Sequence, residues 1–338
     1  MVLVVLLHAA SWYEVGRSFG ETPWLEWSRL LVPLRMPLFF LISGMLAANA
    51  ILYNKNKVIY NAMSLFTVYV FWSIVSTGKL AVLPSIDPET PYSLSLVIWN
   101  ILAPSDYWYI WALPVYLLLA TALVFFWRDK SRPDFYIYAI LAFSMVLALF
   151  SGELGLAWKD ALHLRPPRIG FSYTDAVLRN FVWFLLGVIY SKRILDASTR
   201  VPEGFSAASV AGLALLIIGG FVGSLHEKFA LVVAPFPMVF GAILLIKSIQ
   251  NWQVSKILAF IGHRTLPVYV FHWFMLNILT FCVQYLDMNL QGELWAYFFP
   301  PFGAAVIVAA CIAVGSIMRA MGLGILFVGL PNWLHRQR

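Results

Sequence analysis

Apolar residues gather along this chain into long runs separated by short polar segments. The runs lie near 32–53, 58–77, 107–127, 134–151, 176–191, 204–223, 229–249, 257–281 and 299–319. A hydrocarbon layer about 30 Å thick takes about 20 helical residues at about 1.5 Å each, so each run predicts a transmembrane helix. A further run, Met1 to Ser11, covers only about 17 Å at that rise. It lacks the basic start and small-residue cleavage site of a signal peptide and flows directly into Trp12 and Tyr13. We read it as a truncated first helix, a re-entrant segment being the alternative. Counting it gives ten spans, with both termini on one side of the membrane.

Composition agrees with this pattern and removes other classes. The chain of 338 residues is 61% apolar and 12% charged, against about 45–50% and about 25% in globular proteins. A water-soluble, collagen-like, disordered or disulfide-scaffold chain is excluded on that ground. Cys282 and Cys311 lie in apolar stretches without metal-ligand spacing and read as small buried hydrophobes. A net charge of +7 points to nucleic acid in a soluble protein. Here the cations stand singly or in twos and threes between apolar runs, which is topology rather than nucleic-acid binding.

Lys55 and Lys57, then Arg128, Lys130 and Arg132, then Lys192, Arg193 and Arg200 all fall on one side. Lys247, Lys256, Arg264, Arg319, Arg336 and Arg338 join them. Basic residues are retained on the cytoplasmic side, so this side is cytoplasmic and residues 320–338 form a short cytoplasmic C-terminal tail. The loops 12–31, 78–106, 152–175 and 282–298 are then extracytoplasmic. Trp12, Trp24, Trp27, Trp99 and Trp295 read as interfacial anchors, with sugar stacking as the alternative. No internal repeat or appended soluble domain is visible, so residues 1–338 form one membrane domain.

Polar groups inside a bilayer are expensive, which makes the few ionisable residues within the runs functional candidates: His8, Arg35, Arg179 and His272. His8 precedes Ala9, Ala10 and Ser11, small residues that permit close approach. Its imidazole suits proton abstraction near neutrality, and equally an interhelical hydrogen bond that serves packing alone. Arg35 opens the segment Arg35-Met36-Pro37-Leu38-Phe39-Phe40-Leu41-Ile42-Ser43-Gly44, in which Pro37 removes one helical donor and Ser43 with Gly44 permits close helix contact. Snorkelling to the interface is the ordinary reading of that arginine, and anchoring that of Arg179. Tyr269 and His272, three apart, share one helical face where a phenol and an imidazole can act together. A satisfied structural histidine is the alternative.

These segments, with Trp108-Tyr109-Ile110-Trp111-Ala112-Leu113, Phe184-Leu185-Leu186-Gly187 and the Gly262 to Trp273 run, resemble in order and spacing the acyltransferase-3 family of integral membrane acyltransferases. The resemblance spans nearly the whole chain. It implies an all-α polytopic membrane protein, about ten transmembrane helices with the first incomplete, around a central polar cavity. It also implies transfer of an acyl group, commonly acetyl, from cytoplasmic acyl-coenzyme A to a hydroxyl on an extracytoplasmic glycan or lipid-linked acceptor. His8 then matches the family's catalytic histidine, while Arg35 and His272 match residues lining the cavity. The arginine that the family usually carries about ten residues before that histidine would precede Met1, and the basic pair after the second helix is reduced to Lys55 and Lys57.

On this resemblance His8 acts as the base toward the acceptor hydroxyl, or first takes the acyl group itself. Arg35 faces the negative charge of the tetrahedral intermediate. Tyr269, His272, Trp108, Trp111 and Ser43 are the candidates for holding the acceptor. Lys55, Lys57, Arg128, Lys130, Lys192 and Arg193 are those for the phosphates of coenzyme A, simple positive-inside topology being the alternative. Acyl-coenzyme A, acetyl-coenzyme A in the usual family case, is the expected donor, with no metal. The expected setting is a bacterial inner membrane, with lipids around the chain and no nucleic-acid partner. The competing class is a transporter or flippase whose path His8, Arg35 and His272 line. The matching broken halves common in transporters are not visible.

Overall fold

A computed structural model describes residues 1–16, 19–82, 94–104, 107–128, 133–161, 173–201, 204, 206–225, 231–286, 288 and 290–329. The regular structure among them is entirely helical. In chain order the helices are α1 (Val2–Ser11), α2 (Pro23–Leu30), α3 (Val32–Tyr53), α4 (Lys55–Val82), α5 (Leu94–Leu102), α6 (Trp108–Arg128), α7 (Pro133–Leu149) and α8 (Ser151–Ala161). They continue as α9 (Thr174–Thr199), α10 (Ala207–Leu225), α11 (Pro235–Ser248), α12 (Gln253–Gly262), α13 (Thr265–Tyr285), α14 (Glu293–Ala320) and α15 (Ile325–Val328). A π-helical turn, Trp12–Gly16, extends α1.

Among the described residues six helices are long and apolar enough to cross a membrane: Val32–Tyr53, Lys55–Thr77, Trp108–Phe126, Ala207–Leu225, Thr265–Tyr285 and Glu293–Ala320. Asp134–Leu149 and Ser151–Ala157 make a seventh if they are one broken span, bent by 67°. The remaining expected runs take other forms. α11 has 14 residues, about 21 Å, because Pro235 opens it late in its apolar run. The run expected at 257–281 is divided, α12 ending at Gly262 and α13 starting at Thr265. α9 is a long helix, but Asp175, Arg179, Lys192 and Arg193 dilute its apolar content.

Local chemistry sets several of these boundaries. Thr22 caps α2 by accepting from the Trp24 amide at 3.4 Å, and Pro23 occupies the first helical position, where no donor is lost. Asn54 separates α3 from α4, its Oδ1 accepting from the Lys57 amide at 3.0 Å.

The chain divides into two compact units, Met1–Met36 with Ala197–Gly324, and Pro37–Asp196 with Ile325–Arg338. In the first unit α1 packs on α2 and α14, α13 packs on α14, and α10 pairs with α11. That last pair meets through glycines, since a Cβ on Gly212 would stand 2.9 Å from the Gly241 carbonyl oxygen and one on Gly241 2.6 Å from that of Gly212. In the second unit α4 packs against α5, α6 and α15. Gly44 of α3 and Gly187 of α9 each face the other helix's backbone so closely that neither leaves room for a Cβ. The small-residue reading of Gly44 thus corresponds to a helix crossing. Trp72 Nε1 donates to the Leu326 carbonyl at 3.0 Å and Ser64 bonds that of Val328, so residues 325–329 are packed on α4.

Candidate functional site

The first unit holds α1 in place through side chains that follow its apolar run. Trp12 Nε1 donates to Thr280 Oγ1 of α13 at 2.7 Å, and the Tyr13 hydroxyl donates to the Leu290 carbonyl at 2.6 Å. Thr22, whose amide donates to Glu14 at 3.0 Å, sends its own hydroxyl to the Ala296 carbonyl of α14 at 2.6 Å. Trp12 also stacks on Phe299, and it is 8% exposed. It therefore serves as an internal tie rather than the interfacial anchor expected of it. Trp27, 63% exposed, keeps an outward position.

These ties set His8 against α13. Its ring lies 5.2 Å from that of His272, stacked at 28°, and 4.6 Å from that of Trp273. Tyr269, one turn earlier, stands 5.9 Å from His272 by ring centroids. The face shared by Tyr269 and His272 is thus the face that meets the sequence-distant His8, and Trp273 completes a wall that the residue types alone did not single out.

His272 is buried, and its tautomer follows from its partners. Nδ1 lies 2.7 Å from the Tyr269 carbonyl oxygen and 3.2 Å from that of Val268. A carbonyl only accepts, so Nδ1 carries the proton and Nε2 presents a lone pair. That buried Nε2 has no hydrogen-bond partner among the described residues. Because the two imidazoles stack rather than meet edge to edge, the lone pair is left for a donor other than His8.

Arg35 completes the cluster. It is 7% exposed and does not snorkel. Nη2 donates to the Ser28 carbonyl at 3.0 Å, and Nη1 to that of Leu3 at 3.3 Å. Leu3 precedes His8 by five residues, about 7.5 Å along α1, and Arg35 lies within electrostatic range of His8. Two carbonyls fix the plane of the guanidinium without neutralising its charge, and the fork retains further N–H groups for an oxyanion. The cluster thus brings together two imidazoles, a phenol and a held cation in an apolar setting. That is a suitable set for moving a proton off a hydroxyl and stabilising a developing negative charge.

The other candidates lie in the second unit. Ser43 Oγ donates to the Phe39 carbonyl at 2.8 Å and lies 2.8 Å from the Tyr109 hydroxyl. Trp108 stacks on Tyr173 at 5.9 Å and 10°, and the Phe40 ring lies 5.8 Å from it, tilted by 43°. Trp111 lines an apolar cavity with residues of α7 and α9. Lys55, Lys57, Lys192 and Arg193 are exposed, at the start of α4 and in the last turns of α9. Lys55 Nζ sits 4.1 Å over the Phe125 ring, and Arg193 rests on Tyr190 at 5.6 Å. Lys130 and the Arg128 side chain lie outside the described residues. Arg179 pairs with Asp175 at 3.7 Å, one turn apart on α9.

The family model described as an acyltransferase domain, of the acyltransferase-3 type, matches residues 1–316 of the chain. No curated protein and no solved structure matches it.

Proposed function

The chain belongs to the acyltransferase-3 family, and on that premise we propose that it is a membrane O-acyltransferase moving an acyl group, acetyl in the simplest case, from cytoplasmic acyl-coenzyme A to a hydroxyl of an extracytoplasmic glycan or lipid-linked sugar. The observation that carries this reading is the convergence of a half-buried His8 with the buried His272 and Arg35 in the first unit. The ten-span arrangement around a polar chamber, the bacterial inner membrane and the cytoplasmic C-terminus belong to the same proposal.

The acceptor hydroxyl donates its proton to His8 as its oxygen attacks the thioester carbonyl. The resulting oxyanion faces the Arg35 guanidinium, and a donor of this kind contributes about 3–4 kcal/mol of transition-state stabilisation. Collapse of the intermediate breaks the carbon–sulfur bond, and the proton on His8 passes to the departing thiolate. The Nε2 lone pair of His272 accepts from a second hydroxyl of the acceptor and so aligns the attacking one. Lys55, Lys57, Lys192 and Arg193 attract the phosphates of the coenzyme as point charges.

The test is the ester-linked acetyl content of the host's surface glycans when the wild-type chain or His8→Ala is expressed at equal membrane abundance in cells lacking the gene. Loss of acetyl esters in the variant is expected. An unchanged content would remove His8 from the reaction.

A further inference from the structure

α14 carries two adjacent prolines in its interior, Pro300 and Pro301. Neither has an N–H, so the carbonyls four residues earlier, those of Ala296 and Tyr297, lose their α-helical donors. Both carbonyls are met from outside the helix. The Thr22 hydroxyl donates to that of Ala296 and Trp24 Nε1 to that of Tyr297, each at 2.6 Å. The start of α2 thus fits the gap that the two prolines leave in the hydrogen-bond ladder of α14. Phe299, just before them, packs on Trp12 and Tyr13 at the end of α1.

The other end of α2 reaches the site. Ser28 follows Thr22 by six residues, about 9 Å along the helix. Its carbonyl belongs to the last turn of α2, where helical donors run out and the macrodipole is negative. Arg35 Nη2 donates there at 3.0 Å, and Nη1 donates to Leu3 of α1 at 3.3 Å. One guanidinium thereby joins the end of α2 to the helix that carries His8.

α2 cannot hold this place by its own stability. Eight residues are too few for a stable isolated helix, and only Leu25 and Ser28 among them are buried. Its position is therefore set at its ends. Thr22 is the chief fastening: it is buried, its amide donates to Glu14 on the turn that extends α1, and its hydroxyl accepts from the Trp24 amide while donating to Ala296.

We propose that Thr22 is a positioning residue of the acyl-transfer site, holding α2 against α14 so that Arg35 presents its remaining N–H groups beside His8. The proposal rests on the acyltransferase reading and adds to it that the rate depends on a hydroxyl acting through α2 and Arg35.

The experiment uses inside-out membrane vesicles containing the full chain and measures ester formation against the concentration of acetyl-labelled acetyl-coenzyme A. Thr22→Val keeps the buried shape and the amide bond to Glu14 and removes only the hydroxyl. It should lower the maximal rate about 5- to 50-fold, with the KM for acetyl-coenzyme A changed by less than about 2-fold. Thr22→Ser, which restores the hydroxyl, should recover most of the rate. In an Arg35→Lys background, where the planar fork is already lost, Thr22→Val should lower the rate further by less than about 2-fold. Trp24→Phe, which removes the donor to Tyr297, is the second variant should Thr22→Val not fold, with a fall of about 2- to 5-fold expected. A full rate in Thr22→Val, equal losses in Thr22→Val and Thr22→Ser, or an undiminished loss in the Arg35→Lys background would overturn the proposal. A wild-type chain that forms no ester would instead count against the acyltransferase reading. Amide hydrogen exchange over residues 23–30, followed by mass spectrometry, reports the fastening whether or not acyl transfer occurs: it should quicken in Thr22→Val, and unchanged exchange would overturn the role given to the hydroxyl.

Discussion

In the first unit the buried polar side chains converge: Arg35 spends two N–H groups on carbonyls, His272 spends Nδ1, and a charge and a lone pair remain beside His8. In the second unit buried hydroxyls either join segments, Ser43 to Tyr109, Tyr69 to the Ala103 carbonyl and Tyr116 to that of Val177, or bond back along their own helix, as Thr77 and Ser144 do. Both units bury polarity in an apolar setting, where every unmet group is costly. The difference lies in what remains after packing. A base and a cation remain side by side in the first, and an apolar cavity lined by α6, α7 and α9 remains in the second.

Substitutions test that contrast in descending order of effect. His8→Ala should lower acyl transfer from acetyl-coenzyme A by about 10²- to 10⁴-fold, the usual contribution of a positioned base, with thermal stability in detergent little changed. Arg35→Lys keeps the charge but not the planar fork. Turnover should fall about 10²- to 10³-fold, while acetyl-coenzyme A still shifts the melting temperature. A full-rate Arg35→Lys enzyme would reduce Arg35 to a structural clamp.

His272 separates two roles within one side chain. His272→Asn preserves the short reach to the Tyr269 carbonyl and loses the acceptor at Nε2, whereas His272→Gln places an amide oxygen near Nε2. A loss of about 5- to 100-fold in kcat/KM is expected for Asn, with part of it recovered in Gln. Equal losses in both, accompanied by equal destabilisation, would mark His272 as packing. Ser43→Ala should have the smallest effect: about 1 kcal/mol of stability by denaturant or thermal unfolding, and unchanged turnover. A fall in turnover at unchanged stability would instead put Ser43 against substrate and blur the distinction between the units.

The sequence reveals long helices well because a 20-residue apolar run carries its own signal, as in Val32–Tyr53 and Ala207–Leu225. It hides interruptions that leave composition unchanged. The division at His263 and Arg264 and the late start at Pro235 both fall inside runs that stay apolar on either side. His8, Arg35 and His272 are legible singly as costly residues in apolar segments. Their meeting is not, because His8 and His272 are 264 residues apart and nothing in either segment encodes the partner. Trp12 looks like an anchor by position until Thr280 is known to face it. The four-residue spacing from Trp111 to Leu123 is present in the chain, yet any packed or lipid-facing helix shows the same stripe. Only the placement of α7 and α9 turns it into a cavity wall.

The most direct measurement uses inside-out membrane vesicles containing the full chain, supplied from outside with acetyl-coenzyme A labelled in the acetyl group. Label should appear in an alkali-labile ester on a glycan or glycolipid inside the vesicles, and disappear in His8→Ala at equal protein abundance. Equal labelling by the variant and the wild type would contradict the role given to His8. An active transporter with no ester formed would replace the acyltransferase mechanism altogether.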